Sequence, residues 1–189
     1  MKALRQVAIF LFSLVMPFSE VFAEQKNLNL SNTSVAVAFS PDDGVTQMII
    51  NEIDKAKISI YVAAYSFTSL PIAVKLIEAQ KRGVSVKVVL DQSQRTAIGS
   101  IAKRLKRSGI SVRFNRHYKI QHNKYMIFDE QHVECGSFNY TKSAEKNNAE
   151  NAIIIKNQPQ LASIYERTLR SYGWSLYNQI RHGNSEHTH

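Results

Sequence analysis

The chain has 189 residues and a single cysteine, with 44% hydrophobic, 10% aromatic and 21% charged residues. That composition excludes wholesale disorder and collagen-like or low-complexity architectures, and a chain of this length buries a core without metal or disulfide staples. Lys and Arg outnumber Asp and Glu by 24 to 15, a formal charge of +9, which favours a polyanionic partner, either nucleic acid or an anionic lipid surface.

The first segment reads as an address rather than as structure. Lys2 and Arg5 precede an apolar run over 7–16, Pro17 ends it, and Val21-Phe22-Ala23 offers a cleavage site. This is the pattern of a secretory signal peptide cut after Ala23, and the run is short of the roughly 20 apolar residues of a membrane span. An uncleaved N-terminal anchor is the competing reading. Cleavage would remove Lys2, Arg5 and Glu20, leaving 22 − 14 = +8 over 166 residues, so the basic character belongs to the domain expected over 24–181. That domain is expected in the periplasm or outside the cell.

Strands and helices then alternate. Residues 34–39 alternate apolar and small side chains as a strand, and Val45, Met48, Ile49, Ile53 and Ala56 recur at helical spacing. Residues 57–64 and 84–90 are nearly continuous apolar strands, the mark of burial on both faces. Between them the pattern predicts a helix over 70–82, with Ser69 as N-cap, Pro71 in its first turn and Gly83 as its stop. A helix over 98–105 ends at Gly109 and a strand follows over 110–114. Residues 125–128 and 132–135 form two short strands joined tightly through Asp129-Glu130-Gln131. A strand over 152–155 and a helix over 161–177, bent at Gly173, close the pattern, and 182–189 reads as a flexible tail. The alternation predicts an α/β fold with a mixed, mostly parallel sheet sandwiched by helices.

From Gln92 to Phe128 there is no Asp or Glu, against nine cations: Arg95, Lys103, Arg104, Lys106, Arg107, Arg113, Arg116, Lys119 and Lys124. A solvated face normally carries both signs, so this single-sign cluster points to phosphate contact, with Lys103, Arg104, Arg107 and Arg116 as candidate substrate contacts. A merely solvated helix face is the alternative. Tyr118 sits among the cations and could stack on a base.

The chemistry-bearing residues lie between His122 and Asn139. His122 and Lys124 are two apart at a strand start and project to one side. A neutral imidazole beside an ammonium can attack an electrophile while the cation holds an anion. Gly136 permits close backbone approach, and Ser137 and Asn139 add a hydroxyl and a carboxamide, which completes a phosphate-binding set. Asp129 and Glu150 are the carboxylates available to hold an imidazole tautomer. His117 and His132 fit no part of this set and read as surface or packing residues. Cys135 reads as a small buried hydrophobe and Phe138 as a packing residue beneath the site. No carboxylate or thiolate set completes a metal site around these histidines, and neither metal nor cofactor is expected.

The spacing His122-x-Lys124-x4-Asp129-x6-Gly136-Ser137-x-Asn139 resembles the signature of the phospholipase D superfamily, and the chain is similar to its small secreted, EDTA-resistant bacterial endonucleases. The resemblance implies that His122 is a nucleophile forming a covalent phosphohistidine. It implies that Lys124 and Asn139 bind phosphate oxygens with help from Ser137, and that Asp129 is a supporting hydrogen-bonding residue. A later acidic residue orients the histidine, and Glu150 matches it best, with Glu145 nearby as the alternative. Superfamily members with two signature copies bring both into one site, so this one-copy chain is expected to pair as a homodimer with its active site at the interface. The expected activity is metal-independent, non-specific cleavage of DNA, with RNA as a further substrate. A phospholipase D-type lipid phosphodiesterase is the alternative, and an inactive nucleic-acid-binding protein is the third reading.

Overall fold

A computed structural model describes residues 27–29 and 31–173; the expected signal segment, the 182–189 tail and the end of the last helix lie outside them. In chain order the elements are β1 (Ser34–Ser40), α1 (Val45–Lys55), β2 (Ser59–Ala64), α2 (Leu70–Lys81), β3 (Ser85–Asp91), a 3₁₀ turn (Gln92–Arg95), α3 (Ala102–Arg107), β4 (Ser111–Asn115), β5 (Lys124–Phe128), β6 (His132–Gly136), α4 (Lys142–Lys146), β7 (Glu150–Lys156) and α5 (Pro159–Gly173).

The seven strands make one sheet in the order β1-β7-β6-β5-β2-β3-β4. It is mixed, as expected, but the balance is not mostly parallel. Only β2–β3 and β3–β4 are parallel, whereas the other four pairings are antiparallel. The physical reason lies in the connections. Helical crossovers, which return a strand in parallel, join β2 to β3 and β3 to β4, whereas β5 and β6 are joined by a turn too short for a crossover. In that turn Asp129 and Glu130 both have positive φ, 51° and 58°, and the Gln131 N–H donates to the Phe128 carbonyl at 3.0 Å. Two central residues in the left-handed region give the turn a twist that matches that of the flanking strands, within a connection of three residues, Asp129–Gln131.

All six residues of β2 are buried, which accounts for its unbroken apolar sequence in the middle of the sheet. On one face Val62, Val88, Leu90 and Met126 pack against Ile49 and Ile53 of α1, Ile72 and Leu76 of α2, and Leu105 of α3. On the other, Ala63, Val89, Tyr125, Ile127 and Val133 are covered by Ala162 and Leu169 of α5, with Tyr165 and Tyr172 alongside. Each fully buried side chain of this size contributes about 1.5–3 kcal/mol, so the two layers together fix the strand ends from which the site is built.

Two elements differ from the periodicity reading. The helix expected from Ile98 begins only at Ala102: residues 92–95 form a 3₁₀ turn whose N-cap is Asp91, accepting from the Ser93 N–H at 2.9 Å, and Gly99, at φ 76°, takes a left-handed conformation that a right-handed helix does not run through. The five-residue α4 carries too few apolar positions to show a period; it is set by its N-cap, Thr141, whose Oγ1 accepts from the Ala144 N–H at 3.1 Å.

Candidate active site

A cavity of about 550 Å³ opens where β5 begins and β6 ends, and His122, Lys124, Ser137, Asn139 and Glu150 all line it. Five of the six residues singled out in the sequence for chemistry therefore converge. Lys124 is the first residue of β5 and is only 8% exposed, while His122 lies just before the strand. The Lys124 ammonium lies 3.0 Å from His122 Nδ1 and 3.2 Å from Nε2, and donates to the His122 carbonyl at 2.8 Å. One cation thus holds both the backbone and the ring of the histidine. The Tyr65 ring, with its centroid 4.6 Å from that of the imidazole and tilted by 53°, supports the histidine from another side. Burial pulls the Lys124 ammonium below its ordinary pKa, and the Glu150 carboxylate acts in the opposite direction.

The Gly136–Asn139 turn is held by β7. The Ser137 N–H donates to the Asn151 carbonyl at 3.1 Å, the Phe138 N–H donates to the same carbonyl at 3.2 Å, and the Ser137 hydroxyl accepts from the Asn151 N–H at 3.0 Å. Gly136 is required by this approach, since a Cβ there would fall inside van der Waals contact with the Asn151 carbonyl and 2.9 Å from the Ala152 Cα. Phe138 is fully buried, as its place between Ser137 and Asn139 led one to expect.

The turn is also clasped from below. The Tyr140 hydroxyl donates to Glu134 Oε2 at 2.6 Å, and both side chains are fully buried. Glu134 precedes the turn and Tyr140 follows it, so this bond joins its two ends. Burial pushes the Glu134 carboxyl up to about 8, against the opposing effect of the Tyr140 hydroxyl. The Tyr140 carbonyl in turn accepts from Thr68 and Ser69 N–H at 2.9 and 2.8 Å.

The two candidate late carboxylates are separated by their partners. Glu145 Oε2 accepts from the Thr46 N–H at 3.0 Å and from the Thr46 hydroxyl at 2.8 Å, which ties it to α1. Glu150 faces the His122 cavity, with its Oε1 accepting from Asn148 Nδ2 at 3.1 Å.

Asp129 is not in the cavity. It sits at the far end of β5 from Lys124, where its carboxylate accepts from the N–H groups of Lys57 (2.9 Å), Ile58 (2.7 Å) and Ser59 (3.0 Å). Burial alone would raise its pKa, but these three donors outweigh it and hold the carboxyl below its usual range. The structure gives Asp129 the task of fixing the start of β2, not contact with His122. Three of the expected substrate cations, Lys103, Arg104 and Arg107, line neither the His122 cavity nor the adjacent groove at the β4 edge. That groove takes Arg116 together with Lys106 and Arg113. The reason is helix phase: Lys106 turns toward β4, its ammonium 4.8 Å from the Phe114 ring centroid. His132 is a structural residue, its Nδ1 accepting from the Asn157 N–H at 3.0 Å. Cys135 is half-buried at the cavity wall, and burial raises its thiol pKa.

One positioning residue escaped the motif reading. Asp91, at the end of β3 and 6% exposed, accepts from the Gln121 N–H through Oδ2 at 2.8 Å and so fixes the backbone just before His122. Burial pushes its carboxyl up, but the hydroxyl and N–H groups of Ser93 and the Gln121 N–H prevail and hold it below the ordinary range. Its sequence signal was a lone acid at the very end of a buried strand. Among the described residues no group of three His, Cys, Asp or Glu side chains is arranged to hold a metal ion.

A family model described as "Cardiolipin synthase, PLD-like domain" matches residues 49–172. A protein named phospholipase D from Rickettsia conorii is 44% identical over 136 residues, covering 72% of this chain and 68% of that protein. The crystal structure of Nuc from Salmonella typhimurium, titled a phospholipase D family member, is 42% identical, with a TM-score of 0.71 over 74% of this chain and 93% of that one. A human protein named mitochondrial cardiolipin hydrolase is 30% identical over 128 residues, covering 68% of this chain and 49% of that one.

Proposed function

Since the chain belongs to the phospholipase D superfamily and is a phosphodiesterase of it, we propose that its substrate is nucleic acid and that it is a metal-independent endonuclease. The observation that carries the choice of substrate is the run from Gln92 to Phe128, which has nine cations and no acid, and whose last cation, Lys124, lines the catalytic cavity. Lipid chemistry is the second reading, favoured by the names of the Rickettsia and human relatives.

In the proposed reaction a ring nitrogen of His122 attacks phosphorus, forming a P–N bond as the P–O bond to the departing sugar oxygen breaks. Lys124, Ser137 and Asn139 bind the phosphoryl oxygens, and Lys124 supplies the charge stabilisation that a metal supplies elsewhere. The leaving oxygen needs a proton from the opposite side of phosphorus. One chain carries one such histidine, so the acid is the partner subunit's His122 in a twofold dimer. Water, deprotonated by that same group, then attacks phosphorus, breaks the P–N bond and restores both rings.

A dimer is also supported by β1. Val35, Val37 and Phe39 are 57%, 58% and 54% exposed on one face of this edge strand. Across the register they neighbour Ile155, Ile153 and Asn151, and Asn151 holds the Ser137 turn. An exposed apolar strip that runs into the site suits a second copy of the chain, which buries it and completes the chemistry at once. Mixing His122→Ala subunits into the native protein should then lower activity faster than dilution alone. We further propose that the N-terminal segment directs the chain across the cytoplasmic membrane to the periplasm or beyond.

The test of substrate is direct. With excess EDTA present, the chain should fragment supercoiled plasmid while releasing no head group from phosphatidylcholine or cardiolipin vesicles. Lipid hydrolysis without plasmid cleavage would reverse the assignment, and activity restored only by Mg²⁺ would refute the metal-free mechanism.

A further inference from the structure

Beside the catalytic cavity, a groove of about 760 Å³ runs along the outer edge of β4, and the motif does not use it. Its aromatic members are Phe114, Tyr118 and Tyr172, and its cations are Lys106, Arg113 and Arg116. The three cations are exposed and, among the described residues, none is in an ion pair. Tyr118 is 50% exposed, an unusual state for a large ring whose neighbours are already aromatic. Its centroid lies 5.7 Å from that of Tyr172 at 85° and 4.7 Å from that of His117 at 83°. Both neighbours meet it edge to face, an arrangement that braces the ring. The groove is also tied to the chemistry. The Tyr172 hydroxyl accepts from Asn123 Nδ2 at 2.9 Å, and Asn123 stands between His122 and Lys124.

We propose that this groove is a nucleobase subsite that stacks an unpaired base on Tyr118 while Arg113, Arg116 and Lys106 hold the flanking phosphates. The inference rests on the nuclease reading and sharpens it, because it makes single-stranded nucleic acid the preferred substrate. A braced aromatic ring among cations offers a π-face to any base and charge to its backbone, without reading sequence. A base inside a duplex reaches such a ring only after unstacking, which costs a few kcal/mol, so paired substrate gains less from the groove. An acyl chain is a poor occupant, since three ammonium and guanidinium groups would be desolvated against it.

Kinetics on three substrates test this: a single-stranded oligonucleotide, a blunt duplex of the same sequence, and the small diester bis(p-nitrophenyl) phosphate. Tyr118→Ala should raise KM for the single strand by about 5- to 100-fold, leave the small diester unchanged and affect the duplex least. Tyr118→Trp should restore the single-strand KM. Equal losses on all three substrates would overturn the subsite in favour of a distorted catalytic cavity. No loss on the single strand would overturn it while leaving the nuclease reading intact. A native protein that hydrolyses the small diester but neither nucleic acid would instead sink the nuclease reading. Loss of vesicle hydrolysis in Tyr118→Ala would assign the groove to lipid and overturn the proposal.

Discussion

Replacing Gly136 with alanine should damage stability and turnover together. The added Cβ would lie 2.9 Å from both the Ala152 Cα and Asn151 Oδ1, and closer still to the Asn151 carbonyl. Asn151 Oδ1 is a side-chain tip, but the other two atoms belong to the backbone of β7 and cannot swing away. The strands must separate, and separation breaks the bonds by which Ser137 and Phe138 N–H share that carbonyl. Two backbone hydrogen bonds at about 0.5–1.5 kcal/mol each, plus about 1–3 kcal/mol of overpacking, give a loss of about 2–6 kcal/mol. In a domain of this size, at about 2–4 °C per kcal/mol, that is a fall in Tm of about 4–24 °C. Because Ser137 and Asn139 ride on the displaced turn, kcat on a small phosphodiester should fall by at least about tenfold even at temperatures where the variant is folded. Thermal unfolding followed by circular dichroism, paired with steady-state kinetics at 20 °C, measures both. A variant with native Tm and native kcat would refute the claim that β7 holds this turn at contact distance.

Asp91→Asn should retain the fold but loosen the backbone before His122, lowering kcat by about tenfold with little change in KM, as positioning groups do; an unchanged kcat would show that the Gln121 bond is incidental. Asp129→Ala orphans three backbone N–H groups and should cost about 2–4 kcal/mol in urea unfolding, with kcat per folded molecule unchanged; loss of kcat in the folded variant would return Asp129 to the site. The stability that Asp129 gives is present at neutral pH and lost as pH falls through its lowered pKa, so the variant should flatten the acid limb of the stability profile. Glu134 has the opposite sign. Its folded pKa of about 8 lies above the unfolded value of 4.5, so stability falls as pH rises between the two, by up to about 1.4 kcal/mol per unit. Glu134→Gln should remove that slope, and an unaltered slope would mean that the buried carboxyl does not titrate there.

The central strands and the long helices were legible because burial leaves periodic or continuous apolar patterns: β2, β3 and α2 appear within two residues of their expected bounds. The site was legible because its residues are close in sequence, and a strand start and a glycine turn bring them together in space. Strand direction was not legible. The alternation of strands and helices suggests parallel crossovers, yet β7 returns beside β1 and β6 antiparallel, a long-range pairing that no local pattern encodes. Asp129 has the supporting hydrogen-bonding role that the resemblance implies, but it does not hold the imidazole: signature membership does not say which end of a strand a residue occupies, and at the far end its carboxylate meets Lys57, Ile58 and Ser59 instead of His122. The basic run was visible, but which cations share a groove depends on helix phase and on α5 packing over β4, so Lys106 and Arg113 replace Lys103, Arg104 and Arg107. Asp91 and the Glu134–Tyr140 clasp act through backbone and buried contacts, which leave no motif.

The most direct test of the account is to trap the covalent intermediate. The chain is mixed with an oligonucleotide carrying labelled phosphodiesters in excess EDTA, quenched in base within the first turnover, and mapped by peptide mass spectrometry. The account predicts an acid-labile, base-stable phosphoryl adduct on His122, absent from His122→Asn. Cleavage that proceeds in EDTA with no adduct on His122, or with the adduct on another residue, would contradict it.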